Sequence, residues 1–128
     1  MKVLFDYQIF SMQKYGGISR YYVELMKEYK SLGVDFNLSS FFSNNEYIDE
    51  VQPLYKYFDH KVFNKISSII NLKISKNSIV EAEFDIFHPT YYNPYFLKDI
   101  NKPYVLTIYD FNHEKFAKLY HSNEKTIL

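Results

Sequence analysis

The residues best suited to chemistry lie near the end of the chain. There Asp110, His113 and Glu114 place two carboxylates and an imidazole within five residues. Such a group can act as general acid–base machinery, or it can be a polar network that ties a loop down. The spacing matches no metal-binding motif, so we predict no metal site.

A second group with chemical potential is the pair of glycines, Gly16 and Gly17, with Arg20 shortly after them. Two glycines before a helix let backbone amides approach an anion, and the helix N-terminus favours negative charge there. Arg20 could add charge-assisted hydrogen bonds to a phosphate. Alternatively, the glycines only shape a turn and Arg20 is a solvated side chain. The three-glycine dinucleotide fingerprint and the Walker lysine are both absent, so NAD and ATP are poorly supported and no cofactor is predicted.

A third group combines His88 with a proline-rich loop that carries Tyr91 and Tyr92. His88 follows a short apolar segment, where it could bind a ligand or pack beneath the loop. The tyrosines could form a platform for the apolar face of a sugar ring, or they could simply pack the loop. The chain is 20% aromatic, with 14 Tyr and 12 Phe. That composition fits an aromatic core as well as an aromatic cleft.

The elements that must position these groups follow from the apolar patterns. Apolar runs predict four strands, at residues 2–10, 34–43, 84–87 and 104–109. Helical spacing predicts a helix over residues 18–32 with Gly33 as its C-terminal cap, a second helical stripe over 62–77, and a further turn at 79–83. The alternation predicts an α/β fold, a Rossmann-like parallel sheet with helices on both faces. Ligands bind beyond the carboxyl ends of such strands, so the three groups are expected to converge.

The bulk composition narrows the function classes. The 128 residues are enough for one domain, and 15 basic residues balance 15 acidic ones. This balance argues against a dedicated nucleic-acid-binding protein, which would carry an excess of basic residues. No apolar segment approaches the roughly 18 residues that span a bilayer. The absence of cysteine is compatible with the cytoplasm. We therefore expect a cytoplasmic protein without a transmembrane segment, for which peripheral association with the inner face of the membrane stays open.

Five stretches of the sequence, taken together and in this order, resemble one known family. They are DYQIF at 6–10, QKYGGISRY at 13–21, DIFHPTYY at 85–92, KPYVLTIYD at 102–110 and HEKF at 113–116. The chain resembles the N-terminal domain of retaining GT-B glycosyltransferases, the glycogen-synthase-like class also described as group 1 or family four. The motifs cover most of the chain, and each is weak alone.

The resemblance implies an enzyme that transfers a sugar from a nucleotide-sugar donor to a glycan or lipid-linked acceptor in surface polysaccharide biosynthesis. By position, Gly16 and Gly17 would line the diphosphate side of the cleft. Asp110 would lie near the reacting sugar, with His113 as the nearest imidazole, because Tyr109 stands where many relatives carry histidine. Asp110 and His113 are thus the predicted catalytic residues. The predicted substrate- and donor-phosphate-binding set is Gly16, Gly17, Arg20, His88, Tyr91, Tyr92 and Glu114.

The resemblance also carries an expectation about domain content. Residues 1–128 would form a partial, acceptor-side Rossmann-like domain, the N-terminal half of an incomplete GT-B fold. The C-terminal domain that holds the nucleotide-sugar in relatives would be missing, and the isolated chain would be inactive. Two other interpretations stay open: a non-catalytic sugar- or anion-binding α/β module, and a subunit whose unfinished sheet is covered by a partner chain or a second copy.

Overall fold

The structure is a computed structural model that describes residues 1–109, so the predicted site residues Asp110, His113 and Glu114 lie outside the described residues. The strands are β1 (Lys2–Asp6), β2 (Asp35–Ser39) and β3 (Ile86–His88). The helices are α1 (Gln8–Met12), α2 (Gly17–Ser31) and α3 (Lys61–Glu81), with a 3₁₀ turn at Ile48–Glu50. No helix in the described part of the chain is long and apolar enough to cross a membrane.

The three strands form one parallel sheet in the order β2-β1-β3. Lys2 of β1 lies opposite Asp35 of β2, and Phe5 lies opposite His88 of β3. Parallel neighbours need a crossover connection, which α2 supplies between β1 and β2 and α3 supplies between β2 and β3. The predicted α/β class with a parallel sheet is confirmed.

Alternate side chains of β1 enter two separate apolar clusters. Val3 and Phe5 pack with Tyr22, Val23 and Met26 of α2, whereas Leu4 packs with Ile79 of α3 and with Phe84, Phe87 and Phe96. This alternation is what a strand covered on both faces requires. The helices therefore lie on both faces of the sheet, as predicted, with α2 on one face and α3 on the other.

The predicted helix at 18–32 corresponds to α2, and Gly33 ends it as predicted. Gly33 adopts φ +69°, the left-handed conformation that glycine reaches without a Cβ clash. The Val34 amide donates to the Tyr29 carbonyl at 2.9 Å and the Gly33 amide to the Lys30 carbonyl at 3.3 Å. These two bonds form a Schellman cap, which satisfies carbonyls that a helix end leaves free.

Several predicted elements differ from those observed. The second strand is Asp35–Ser39 rather than 34–43, and the third is Ile86–His88 rather than 84–87. The first strand ends at Asp6 rather than residue 10, because the chain turns there into α1 and buries Ile9 and Phe10 from a helix. The stripe at 62–77 and the turn at 79–83 are one continuous helix, α3, whose sequence contains neither glycine nor proline. Residues 104–109 do not form a strand, since only Tyr104 pairs with Phe87, through an isolated bridge.

Candidate functional site

The strand order creates a topological switch point beside β1. The chain leaves β1 toward β2 on one side and returns through α3 to β3 on the other. In open parallel sheets the crevice beyond the carboxyl ends at such a point is the usual ligand site. Here Asp6 ends β1 and His88 ends β3, so these two residues border the crevice.

The glycine loop lies at the N-terminus of α2, where the side chain of Gln13 already occupies one of the helix amides. Oε1 of Gln13 accepts a hydrogen bond from the Ser19 amide at 3.2 Å, so a side chain caps the third amide of the helix. A Cβ on Gly16 would overlap this Gln13 side chain, whereas a Cβ on Gly17 would meet nothing within 4 Å. Among residues 1–109, the amides of Gly17 and Ile18 have no hydrogen-bond acceptor, so they are the groups available to an anion.

Arg20 points away from the glycine loop into a surface ion-pair cluster. Its guanidinium pairs with Glu24 and, at 2.6 Å, with Glu50, and it lies 5.2 Å from the centre of the Tyr47 ring. Lys27 also pairs with Glu50, and these hydrogen bonds from Lys27 and Arg20 lower the pKa of the Glu50 carboxyl. Arg20 would therefore have to leave both carboxylates before it could bind a phosphate.

His88 is buried on the α2 face of the sheet. Its ring stacks on Phe5 with centroids 5.3 Å apart and meets the edge of Tyr22 at the same separation. Nε2 lies 2.9 Å from the Thr107 hydroxyl. Burial lowers the pKa of His88 to about 4, so the imidazole is neutral at pH 7. A ligand could use His88 as a neutral hydrogen-bonding group but not as a cation.

The predicted tyrosines form an aromatic edge together with Tyr109. Tyr91 and Tyr92 have ring centroids 4.8 Å apart, and Tyr92 lies 6.0 Å from Tyr109. The Tyr109 amide donates to the Tyr92 hydroxyl at 2.8 Å, and this bond holds the loop of residues 91–92 against the backbone at Tyr109. Tyr21 of α2 also meets Tyr109 at 6.0 Å. The structure thus brings the tyrosine loop, the start of α2 and Tyr109 together.

The buried carboxylate of Asp6, which was not among the predicted site residues, accepts hydrogen bonds at both of its oxygens. Its Oδ1 accepts from the Thr90 amide at 2.8 Å and from the Thr90 hydroxyl at 2.6 Å. Its Oδ2 accepts from Nε2 of Gln8 at 2.7 Å and from the Tyr95 hydroxyl at 3.1 Å. An acidic residue at the end of an apolar strand was the signal that could have revealed it.

The Asp6 network connects the crevice to the α3 face. The Tyr95 hydroxyl also bonds the Ser75 hydroxyl at 2.6 Å, and Ser75 bonds Ser39 at 2.8 Å. Burial raises the pKa of Asp6, and the hydrogen bonds from Thr90 and Gln8 oppose that rise. The carboxylate thus holds the end of β1 to the loop after β3, and the hydroxyls of Tyr95 and Ser75 extend this contact to Ser39 at the end of β2.

A separate polar cavity of about 200 Å³ lies beside the glycine loop. Its lining includes Gln13 and Lys14 before the loop, Asn44 after β2, and Tyr57 and Asp59 before α3. Asn44 exchanges two hydrogen bonds with the Tyr57 backbone, at 3.0 and 3.1 Å, so its amide is already occupied. None of the tyrosines of the aromatic edge lines this cavity, so the two features are separate.

No group of three or more acidic or histidine side chains within residues 1–109 is arranged to hold a metal ion. Comparison with known proteins gives no significant match: no protein family, no curated protein and no solved structure resembles this chain closely enough to identify it.

Proposed function

We propose that this chain is the acceptor-side domain of a GT-B-type retaining glycosyltransferase. It would bind a glycan or lipid-linked acceptor and contribute to the donor diphosphate site. The observation that carries the proposal is that the tyrosine loop and α2 meet around Tyr109, beside the switch point of a parallel sheet, where such sheets usually bind their ligands. That arrangement suits a flat, hydroxyl-rich ligand, because aromatic rings can cover its apolar face while their hydroxyls take hydrogen bonds.

The described residues would contribute by positioning rather than by proton transfer. The free amides of Gly17 and Ile18 at the start of α2 would face the donor diphosphate, where the helix dipole favours negative charge. Tyr92, which is 41% exposed, would stack on the acceptor sugar, and the buried Asp6 network would keep its loop in place. Sugar transfer then depends on orienting the acceptor hydroxyl and on stabilising the departing diphosphate. Asp110 and His113 keep their predicted catalytic roles within this proposal.

Calorimetric titration of the full chain with nucleotide-sugars and short oligosaccharides tests the proposal. We expect an oligosaccharide to bind, and Tyr92→Ala to weaken its binding about tenfold because a stacked ring is lost. Tyr55→Ala is the matched control, since Tyr55 is an exposed tyrosine that stacks on Phe41, away from the crevice. Binding that neither substitution changes, or no binding of any sugar, would contradict the acceptor role.

A turnover assay separates the enzyme domain from a non-catalytic binding module. The proposal expects no release of nucleoside diphosphate by this chain alone, and release when a nucleotide-sugar-binding domain of the same family is added. Sugar binding that persists without release in either case would identify the binding module instead.

A further inference from the structure

Helix α3 turns a largely polar side toward the sheet and leaves an apolar side exposed, which is the reverse of the usual arrangement for a helix that covers a sheet. The side chains that face the sheet are Ser67, Asn71, Ser75 and Ile79, spaced four residues apart. The residues on the opposite side are largely apolar and exposed: Val62, Phe63, Ile66, Ile69 and Ile70. An amphipathic helix normally turns its apolar stripe toward the core, so this exposed stripe is unpartnered in the described part of the chain.

Hydrogen bonds from Asn71 hold the inner face of α3 in its middle turns, whereas Ile79 near its end packs in the apolar cluster of Leu4. Oδ1 of Asn71 accepts from the amides of Phe41 and Phe42 at 2.9 and 3.0 Å. Its Nδ2 donates to the Phe42 carbonyl at 2.8 Å and to the Ser11 hydroxyl at 3.1 Å. Because these bonds fix the rotation of the helix, the apolar stripe cannot turn inward without leaving buried polar groups unsatisfied.

The charge on α3 distinguishes between the surfaces that could cover the stripe. The helix carries Lys61, Lys65, Lys73 and Lys76 against one acid, Glu81, although the whole chain is neutral. None of these lysines forms an ion pair within residues 1–109. At 100° per residue, Lys65 and Lys76 fall along one border of the stripe, and Lys73 falls within it.

We propose that the outer face of α3 docks onto an anionic lipid surface. Interfacial helices combine an apolar face with lysines that reach the headgroups, and α3 has both. Phe58, whose ring lies 6.4 Å from Phe63, extends the apolar stripe beyond the start of the helix. A second copy of the chain fits less well, because it would bring the same unpaired lysines against these. The proposal does not depend on sugar transfer, although it would place the chain where a lipid-linked acceptor is found.

Vesicle co-sedimentation of the full chain tests the charge requirement. We expect binding to phosphatidylglycerol vesicles, little binding to phosphatidylcholine vesicles, and weakening by added salt. The double variant Lys65→Glu/Lys73→Glu should bind at least about tenfold more weakly, since each lysine near an anionic surface contributes roughly fivefold. Lys14→Glu/Lys98→Glu reverses two exposed lysines outside α3 and should bind as the parent does. Equal losses in both double variants, or no binding to anionic vesicles, would overturn the proposal.

A fluorescence probe tests which residues enter the lipid. The chain has no tryptophan, so Ile69→Trp and Leu32→Trp each introduce a single reporter at an exposed position. The emission of the Ile69→Trp variant should shift to the blue with anionic vesicles, and that of Leu32→Trp should not. Analytical ultracentrifugation without lipid should give a monomer. A dimer that Ile69→Asn dissociates would assign the stripe to a second copy instead, and would also overturn the proposal.

Discussion

Thr90 donates two hydrogen bonds to one carboxylate oxygen of Asp6, from its amide at 2.8 Å and from its hydroxyl at 2.6 Å. The same hydroxyl accepts from the Ile9 amide at 3.1 Å. One side chain thus joins the end of β1, the start of α1 and the loop after β3. These three segments border the crevice, so the Asp6–Thr90 pair fixes the shape of the proposed site.

We expect Asp6→Asn to lower the free energy of unfolding by about 2–4 kcal/mol, because an amide nitrogen would face donors that now have an acceptor. Urea unfolding followed by circular dichroism measures the change. Asp35→Asn, at an exposed position at the start of β2, is the control and should change stability by less than about 0.5 kcal/mol. Similar effects of the two substitutions would show that the buried network is not a major source of stability.

His88 should make the fold sensitive to acid. Its folded-state pKa of about 4 lies below its ordinary value of 6.5, so the unfolded state takes up the proton first as the pH falls. The stability is fully present above pH 6.5 and decreases by about 2–3 kcal/mol as the pH approaches 4. Denaturant unfolding at a series of pH values measures this decrease. Between pH 6.5 and 4 the free energy of unfolding of His88→Gln should fall less steeply than that of the parent chain. Parallel slopes for the two proteins would mean that His88 is not buried in its neutral form.

Asn71 should be the residue that anchors α3. Asn71→Ala removes the partners of two backbone amides and one carbonyl from a fully buried position, and we expect a loss of about 2–4 kcal/mol in unfolding free energy. Asn77→Ala, an exposed position on the same helix, should be neutral or stabilising by up to about 0.5 kcal/mol because alanine favours helix. If Asn77→Ala proved the more damaging of the two, the assigned orientation of α3 would be wrong.

The glycines should differ sharply in their tolerance of alanine. Gly33→Ala places a Cβ in the left-handed region and should cost about 1 kcal/mol. Gly17→Ala has open space around the new methyl group and should leave thermal unfolding almost unchanged. This comparison also supplies a folded variant, Gly17→Ala, with a methyl group beside the amides proposed to meet the diphosphate. A large loss of stability in Gly17→Ala would contradict the open geometry at the start of α2.

The sequence predicted the class of fold because its strongest signals are local. Apolar strands and the α2 stripe follow side-chain spacing, and Gly33 marks a helix end through its own backbone freedom. The turn after Asp6 was missed because Ile9 and Phe10 favour strands and are held in a helix only by tertiary burial. The orientation of α3 was equally hidden, since Asn71 selects it through partners about 30 residues away.

The residues of the candidate site also divide into those that local sequence signals identify and those that depend on tertiary contacts. Gly16, Gly17, His88 and the tyrosine loop could be chosen from residue type and from their places at strand ends. The pairing of Arg20 with Glu50 could not, because it joins positions 30 residues apart. The burial of His88 between Phe5 and Tyr22 depends likewise on the strand order.

The central claim is that the crevice beyond β1 and β3 binds a sugar and a diphosphate. Amide NMR spectra of the full chain, titrated with a nucleotide-sugar and with an oligosaccharide, test it most directly. We predict that the nucleotide-sugar shifts the amide signals of Gly17 and Ile18, and that the oligosaccharide shifts those of Tyr91 and Tyr92. Signals from the outer face of α3 should stay unchanged in both titrations. Shifts confined to the cavity between Lys14 and Tyr57, or no shifts at all, would contradict the account.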